Sequence, residues 1–183
     1  MMRSRPYGPI AQNAYIVTDL DRAIDYWATT LNVGPFYKFT PSEFVDSTYR
    51  GRPQPIRLHA AIAYTGDLQI ELITPLGPDP SVYRDWLDAG RDGVQHHCVF
   101  TDDMDAAEAH FVRKGAGKAQ SMSLKDGSKI SYFELESANM PMIEVAYLRP
   151  GLKQLFAKIK RAAVEWDGCN PTMMGGTGEA NNE

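Results

Sequence analysis

The chain has 183 residues, 43% of them hydrophobic, which is enough for one globular domain or for two half-size modules that share a core. The formal net charge is −4 and the sequence has no run of Lys and Arg, so it is not expected to bind nucleic acid. No apolar stretch approaches the roughly 18 residues of a membrane span or makes a signal peptide, and the two cysteines do not indicate a disulfide framework, so a cytoplasmic protein that binds no membrane is expected.

The first module, residues 10–75, is predicted to begin as a strand and to turn into a helix. The stretch "AYIVTD" is rich in aromatic and β-branched residues, and Asp19 at its end is a good helix N-cap. The helix should end at Gly34 and Pro35, which break helices. Its apolar residues recur at helical spacing, and they are Leu20, Ala23, Ile24, Trp27, Ala28 and Leu31. Three strands are then predicted, in "FYKFT", "IRLHAAIAY" and "LQIELIT".

A linker, residues 76–94, separates this module from a second copy of the same pattern. It is rich in Pro and Gly, and it holds a short helix that Ser81 is placed to cap and that is a candidate lid. The second module covers residues 95–148, with strands predicted in "KAQSMSL", "KISYFELE" and "MIEVAYL" after its helix. The repeat is visible 84 positions apart, where Asp19, Asp21 and Ala23 return as Asp103, Asp105 and Ala107.

Each module therefore has the order β-α-β-β-β, with one helix to cover one face of its strands. The other face would stay apolar and exposed, so each module has to pack against the second copy. The predicted fold is an α+β single domain, residues 1–183. In it the paired βαβββ modules form a curved, barrel-like mixed sheet around one cleft.

An amphipathic helix, residues 149–167, is predicted after the second module. Its apolar side is expected to dock on its own sheet or on a partner subunit, and a homodimer is the expected assembly. The last segment, residues 168–183, has the composition of a flexible tail.

Four polar side chains are placed where they can form one metal site. The offset of 84 positions puts Gln12 in register with His96, so a side chain that can bind a metal opens both modules. Glu71 in "QIEL" and Glu144 in "MIEV" lie between apolar neighbours in the closing strands, where an unpaired carboxylate would be costly. Two carboxylates, one imidazole and one amide oxygen are a suitable shell for a divalent cation, with zinc, nickel, cobalt and manganese all compatible.

His97 competes with His96 for the ligand position. Side chains alternate faces along a strand, so a slip of one residue would turn His97 toward the cleft instead. The repeat favours His96, because the alternative would put His97 in register with Asn13, which is a rare ligand.

These residues resemble those of the vicinal oxygen chelate superfamily, which includes glyoxalase I, methylmalonyl-CoA epimerase, extradiol dioxygenases and bleomycin-resistance proteins. The resemblance covers residues 10–148 and is carried by "AYIVTDLDRAIDYW", "LQIELITPLG", "GVQHHCVFTDDMDAA" and "MIEVAYL". The stretch "IELITPLG" followed by "HHC" resembles the epimerases, whereas Gln12, Glu71, His96 and Glu144 together are similar to the ligand set of zinc-type glyoxalase I. The resemblance thus implies the fold, and leaves the substrate open.

The function expected from the residues and the resemblance is that of a metal-dependent isomerase, epimerase or lyase. Such an enzyme would move a proton next to the carbonyl of a small substrate, with the metal stabilising the enolate. The resemblance implies that Glu144 or Glu71 leaves the metal to act as the base, while Gln12 and His96 stay as fixed ligands.

Two other functions remain open from the sequence. An extradiol-type dioxygenase normally has two histidines and one carboxylate around iron, but Gln12 stands where that class would have a histidine. A metal-free protein of the resistance type would instead sequester an aromatic or hydrophobic ligand in the cleft. Aromatic residues that could line such a cleft are Tyr49, Tyr64, Tyr83, Trp86 and Phe100, and arginines that could clamp an anionic group near its mouth are Arg50, Arg52, Arg57 and Arg84.

Overall fold

The computed structural model describes residues 5–42, 44–135 and 140–175, and these form four helices and one eleven-stranded sheet. The first module consists of β1 (Ile10–Ile16), α1 (Leu20–Leu31), β2 (Phe36–Ser42), β3 (Val45–Tyr49), β4 (Arg52–Pro53), β5 (Leu58–Thr65) and β6 (Leu68–Pro75). The linker contains α2 (Val82–Asp88). The second module and the C-terminal elements are β7 (Val94–Thr101), α3 (Met104–Arg113), β8 (Gly117–Ser123), β9 (Lys129–Glu134), β10 (Met142–Tyr147), α4 (Pro150–Glu165) and β11 (Thr172–Met174). The predicted α+β class is confirmed.

The first helix of each module starts at the aspartate that the repeat singled out. Asp19 Oδ1 accepts a hydrogen bond of 3.0 Å from the amide of Arg22, and Asp103 Oδ1 accepts one of 2.9 Å from the amide of Ala106. A carboxylate at this position satisfies an amide that lacks a partner within the helix, and it interacts favourably with the helix dipole. The repeated aspartates therefore mark the same strand-to-helix turn in both modules.

The two modules meet at the centre of the sheet, where β1 and β7 pair antiparallel. The strand order is β11-β2-β5-β6-β1-β7-β10-β9-β8-β3-β4, so β1 is flanked by the parallel strand β6 and β7 by the parallel strand β10. Gln12 pairs with Cys98 and Ala14 pairs with His96. Because Gln12 corresponds to His96 and Ala14 to Cys98 in the repeat, this register relates the two modules by an approximate two-fold axis between β1 and β7. The sheet is curved, and in the part of the chain that the structure describes its outer strands β11 and β4 do not meet.

Two strand regions differ from the sequence prediction. The segment between β2 and β5 forms the hairpin β3–β4, and β3 adds to the edge of the second module by pairing with β8. This hairpin is polar and contains Gly51 and Pro53, so it lacks the apolar alternation by which strands are recognised. The predicted flexible tail is likewise not unstructured throughout, because Thr172–Met174 pair in parallel with β2, while residues 176–183 lie outside the described part. The predicted strand "KISYFELE" is described only up to Leu135.

The four helices divide between the two faces of the sheet. We call the face that carries Gln12 and His96 the inner face. Helices α1 and α3 cover the outer face, where they pack on strand residues such as Tyr15 and Val99. Helix α2 packs on the inner face beside Ala14, and α4 packs on the inner face beside Cys98.

Helix α4 docks on its own sheet, one of the two partners that its sequence pattern allowed. Ile159 is fully buried among Tyr37, Ile62 and Tyr64 of strands β2 and β5. None of the helices in the described ranges is both long and apolar enough to cross a membrane.

Candidate metal centre

Strands β6, β7 and β10 carry the carboxylates and the imidazole into one part of the inner face, with β1 between β6 and β7. Ala14 of β1 lies between Glu71 of β6 and His96 of β7 in the strand register, and Glu144 of β10 lies beside Cys98 of β7. Because alanine has only a methyl group, the larger side chains on both sides of it can lean toward each other. The register thus gathers residues from both modules at the line where the modules meet.

The three side chains make close contacts with one another. His96 Nε2 lies 2.9 Å from Glu144 Oε2 and 3.6 Å from Glu71 Oε2. One possible ligand atom from each residue lies within 4.8 Å of the others. His96 is fully buried, and the side chains of Glu144 and Glu71 are only 7% and 15% exposed. The structure therefore brings Glu71, His96 and Glu144 together, in a place that water reaches poorly.

The chemistry of this cluster fits a divalent cation. His96 Nε2 is buried and makes no aligned hydrogen bond with any described residue, although it lies between two carboxylates. Ligand atoms that all lie within 4.8 Å of one another could share one small cation. An imidazole nitrogen and two carboxylate oxygens are also ligands that zinc and similar cations accept.

Gln12 lies on the same face as His96, on the adjacent strand β1, where it pairs with Cys98. Its amide nitrogen donates a hydrogen bond to Gln69 Oε1, and Gln69 in turn donates one of 3.0 Å to the Tyr64 hydroxyl. The other amide atom, Gln12 Oε1, is buried and has no hydrogen-bond partner among the described residues. An amide oxygen without a partner is costly inside a protein unless a donor or a cation satisfies it.

The structure separates His97 from the cluster. His97 Nδ1 lies 2.7 Å from Asn13 Oδ1, which is the pair that the 84-position offset anticipated. Burial, together with the charge of His96, lowers the pKa of His97. The imidazole that lies beside the two carboxylates is therefore that of His96.

The two carboxylates have different environments. Glu144 is held at both oxygens, because Oε2 accepts a hydrogen bond of 2.6 Å from the Tyr132 hydroxyl and Oε1 accepts one of 3.2 Å from the Cys98 thiol. Burial alone would raise the pKa of Glu144, but the charge of His96 and these hydrogen bonds lower it. For Glu71, burial and the charge of Glu144 raise the pKa, and its only polar partner in the described chain is His96. One carboxylate is thus fixed and the other is comparatively free.

The carboxylates also set the charge of His96 in the protein without metal. Burial by itself lowers the pKa of an imidazole, but Glu144 and Glu71 together outweigh it and raise the pKa of His96 from 6.5 to about 9. At neutral pH the metal-free cluster then holds a protonated His96 beside Glu144 and Glu71.

We expect the stability of the metal-free protein to fall as the pH rises through about 9. The pKa of His96 is higher in the folded chain than in the unfolded chain, so its contribution is fully present below pH 6.5 and is lost as the pH rises through about 9. The loss should amount to a few kcal/mol. Urea unfolding with a chelator present, at several pH values between 6 and 10, measures it. The same series on His96→Asn should lack the fall near pH 9, and an equal fall near pH 9 in both proteins would contradict the assignment.

Tyr132 and Tyr83 complete the cluster, and Tyr132 was not predicted from the sequence pattern. Tyr83 of α2 donates a hydrogen bond of 2.8 Å to the Tyr132 hydroxyl, which donates to Glu144. The Tyr132 ring also meets the His96 ring edge to face at 5.1 Å. In a strand, a tyrosine is an ordinary core residue, and only its cross-strand pairing with Glu144 reveals the contact.

The aromatic residues expected to line a cleft fall into two groups. Tyr49, Tyr83 and Trp86 belong to the core beneath α2. Tyr64 and Phe100 instead line a cavity of about 770 Å³ between the N-terminal segment, α3 and α4, together with Phe156. The four residues of the candidate centre do not line this cavity.

The arginines considered as an anion clamp are mostly engaged by the protein itself. Arg50 forms ion pairs with Glu134 and with Asp85, and Arg57 lies 3.2 Å from Asp79. Arg84 donates a hydrogen bond of 2.6 Å to the carbonyl oxygen of Gly77. Only Arg52, on the exposed strand β4, has no such partner in the described residues.

A family model described as "Glyoxalase/Bleomycin resistance protein/Dioxygenase superfamily" matches residues 11–132. No curated protein matches the chain in a sequence search.

Several solved structures share the fold. Methylmalonyl-CoA epimerase from Mycobacterium tuberculosis is 22% identical, with a TM-score of 0.58 over 84% of this chain and 97% of that one. Methylmalonyl-CoA epimerase from Streptomyces coelicolor, solved with 2-nitronate-propionyl-CoA, is 17% identical, with a TM-score of 0.55 over 79% and 96% of the two chains. A hypothetical protein from Bacillus halodurans is 13% identical, with a TM-score of 0.53 over 77% and 94%. At these identities the likeness describes the fold.

Proposed function

Because the chain belongs to the glyoxalase/bleomycin resistance protein/dioxygenase superfamily, we propose that it is a metal-dependent isomerase, epimerase or lyase that moves a proton next to the carbonyl group of a small substrate. The observation that carries this proposal is the buried trio of Glu71, His96 and Glu144. Among proteins of the same fold, those named methylmalonyl-CoA epimerase suggest the same kind of chemistry.

The proposed ligands are Gln12, Glu71, His96 and Glu144. A divalent cation bound by them would supply positive charge beside the substrate carbonyl oxygen, which makes the neighbouring C–H bond more acidic. Zinc, nickel, cobalt and manganese all suit this donor set, and their relative affinities are a matter for measurement.

The protein's own residues then have distinct tasks. His96 and Glu144 hold fixed positions, since Tyr132 and Cys98 bind both oxygens of Glu144. Glu71 is the better candidate for the base, because no described donor restrains it other than His96 at 3.6 Å. Burial and the charge of Glu144 raise the pKa of Glu71, which makes it the readier of the two carboxylates to take up a proton.

Deuterium exchange and metal analysis test the proposal together. The protein, purified without added metal, should contain about one divalent ion per chain, or take one up when zinc, nickel, cobalt or manganese is added. With metal, and not after chelation, it should catalyse uptake of solvent deuterium into at least one member of a panel of 2-oxo and acyl-thioester compounds. A chain that binds none of these metals and exchanges no proton is not such an enzyme.

A ring-cleaving dioxygenase is less well supported by the donor set. Iron sites of that class use two histidines and one carboxylate, whereas the described cluster has one histidine and two carboxylates. Oxygen uptake with a panel of catechols would reverse this preference.

A binding protein without metal chemistry has one observation in its favour. The cavity of about 770 Å³ lined by Tyr64, Phe100 and Phe156 is large and aromatic enough for a small hydrophobic ligand. If this were the function, ligand binding there should be the same in wild type and in His96→Ala, with no metal required.

A further inference from the structure

Strand β7 carries one extra residue opposite β1, next to the candidate metal centre. Ala14 pairs with His96 and Tyr15 pairs with Val94, so Gln95 lies between two paired residues without a partner of its own. Such a β-bulge interrupts the alternation of faces, so that two consecutive side chains can point the same way. Gln95 and His96 are both completely buried.

Both ends of the Gln95 amide have partners. Gln95 Oε1 lies 2.6 Å from His96 Nδ1, and Gln95 Nε2 donates to the sulfur of Met142 at 3.2 Å. Met142 is the residue of β10 that pairs with His96. An amide oxygen can only accept a hydrogen bond, so His96 Nδ1 carries the proton and donates it.

This hydrogen bond decides which ring nitrogen of His96 keeps its proton when the imidazolium loses one to make room for a cation. We propose that Gln95 is a positioning residue that holds His96 in the state with the proton on Nδ1, so that Nε2 is available to a divalent cation. This inference rests on the proposed metal-dependent function and deepens it. Partners of this kind orient metal-binding histidines in many proteins, and their loss typically lowers metal affinity by roughly 10- to 100-fold.

The reverse orientation of the amide would block the site. Gln95 Nε2 would then donate to Nδ1, so the neutral ring would have to keep its proton on Nε2, where it points at Glu144 and Glu71 and leaves no lone pair for a cation. Met142 disfavours this orientation, because its sulfur would then face an amide oxygen with no hydrogen to share. The bulge places Gln95 beside His96, and Met142 holds the amide of Gln95 in the orientation that accepts the proton of Nδ1.

Zinc and cobalt affinities of four proteins test the role of Gln95. Gln95→Leu should bind both ions roughly 10- to 100-fold more weakly than wild type. Gln95→Glu should stay near the wild-type affinity, because a carboxylate also accepts from Nδ1. Gln120→Leu is the matched control: Gln120 is 1% exposed, accepts from the amide of Val82 and interacts with Tyr83 but with none of the proposed ligands, so affinity should not change. Chelator competition gives the affinities, and circular dichroism verifies the fold of each variant.

The tautomer can also be read directly from the wild-type protein. Nitrogen-15 NMR of the zinc-loaded chain should show His96 with a protonated Nδ1 and a zinc-bound Nε2, a readout that does not depend on any variant folding. Zinc on Nδ1, wild-type affinity in Gln95→Leu, or equal losses in Gln95→Leu, Gln95→Glu and Gln120→Leu would each overturn the role of Gln95 while leaving the metal site intact. A wild-type chain that binds neither ion overturns the proposed function and the inference with it.

Discussion

His96→Ala is expected to abolish stoichiometric binding of divalent metal, while His97→Ala binds as wild type does. His96 supplies the only nitrogen of the described cluster and lies within 3.6 Å of both carboxylates. Its loss should cost more affinity than the roughly 10- to 100-fold that follows loss of an outer partner. Elemental analysis after dialysis, together with chelator competition for zinc, measures the difference.

The two histidines make this a matched comparison. They are consecutive on one strand, so their side chains point to opposite faces of the sheet. His97 contacts Asn13 on the outer face and does not contact the carboxylates. His96→Ala also leaves Glu71 and Glu144 buried without their cation partner, so its stability has to be checked by urea unfolding. Metal binding that survives in His96→Ala and disappears in His97→Ala would mean that the ligand assignment is reversed.

The sequence predicted the parts of the fold that depend on local pattern. The repeated aspartates located the N-caps of α1 and α3, and the alternation of faces placed Gln12 and His96 on the same side of the sheet. Both features are set by residues near one another in the chain, so they can be read without knowing the topology.

What the sequence did not predict depends on contacts between distant strands. The bulge at Gln95 is visible only in the pairing of β7 with β1, and the hydrogen bonds of Tyr132 arise because β9 pairs with β10. The hairpin β3–β4 was missed because its polar sequence lacks apolar alternation and because its partner strand β8 lies in the other module. For the same reason Glu71 and Glu144 look equivalent in sequence, and only the structure distinguishes their surroundings.

The burial of the cluster has a consequence for any substrate. Helices α2 and α4 both lie on the inner face, and Tyr83 of α2 reaches Glu144 through the Tyr132 hydroxyl. Of the three side chains, that of Glu71 is the most exposed, at 15%, so a substrate would reach the cluster from its side. Helix α2 is connected by loops in which Gly77 and Gly90 have positive φ angles of 70° and 62°, a backbone conformation that favours glycine.

Glu71→Gln is expected to lower proton exchange by roughly 100- to 10,000-fold while most of the metal affinity remains. The variant keeps an oxygen at the same place, which can still approach a cation, but an amide cannot take up a proton. Glu144→Gln is expected to behave differently, since it removes the charge of the carboxylate that Tyr132 and Cys98 hold 2.9 Å from His96. Its main loss should therefore be in metal affinity.

The two variants are compared by the rate of solvent deuterium uptake per bound metal ion, with whichever compound the wild type exchanges. Glu71→Gln should be slow even when fully loaded, and Glu144→Gln should regain much of its rate when excess metal fills the site. The reverse pattern would make Glu144 the base in spite of its two hydrogen bonds. Equal rates per metal in wild type and both variants would mean that neither carboxylate moves the proton, and the base would then have to lie outside the cluster.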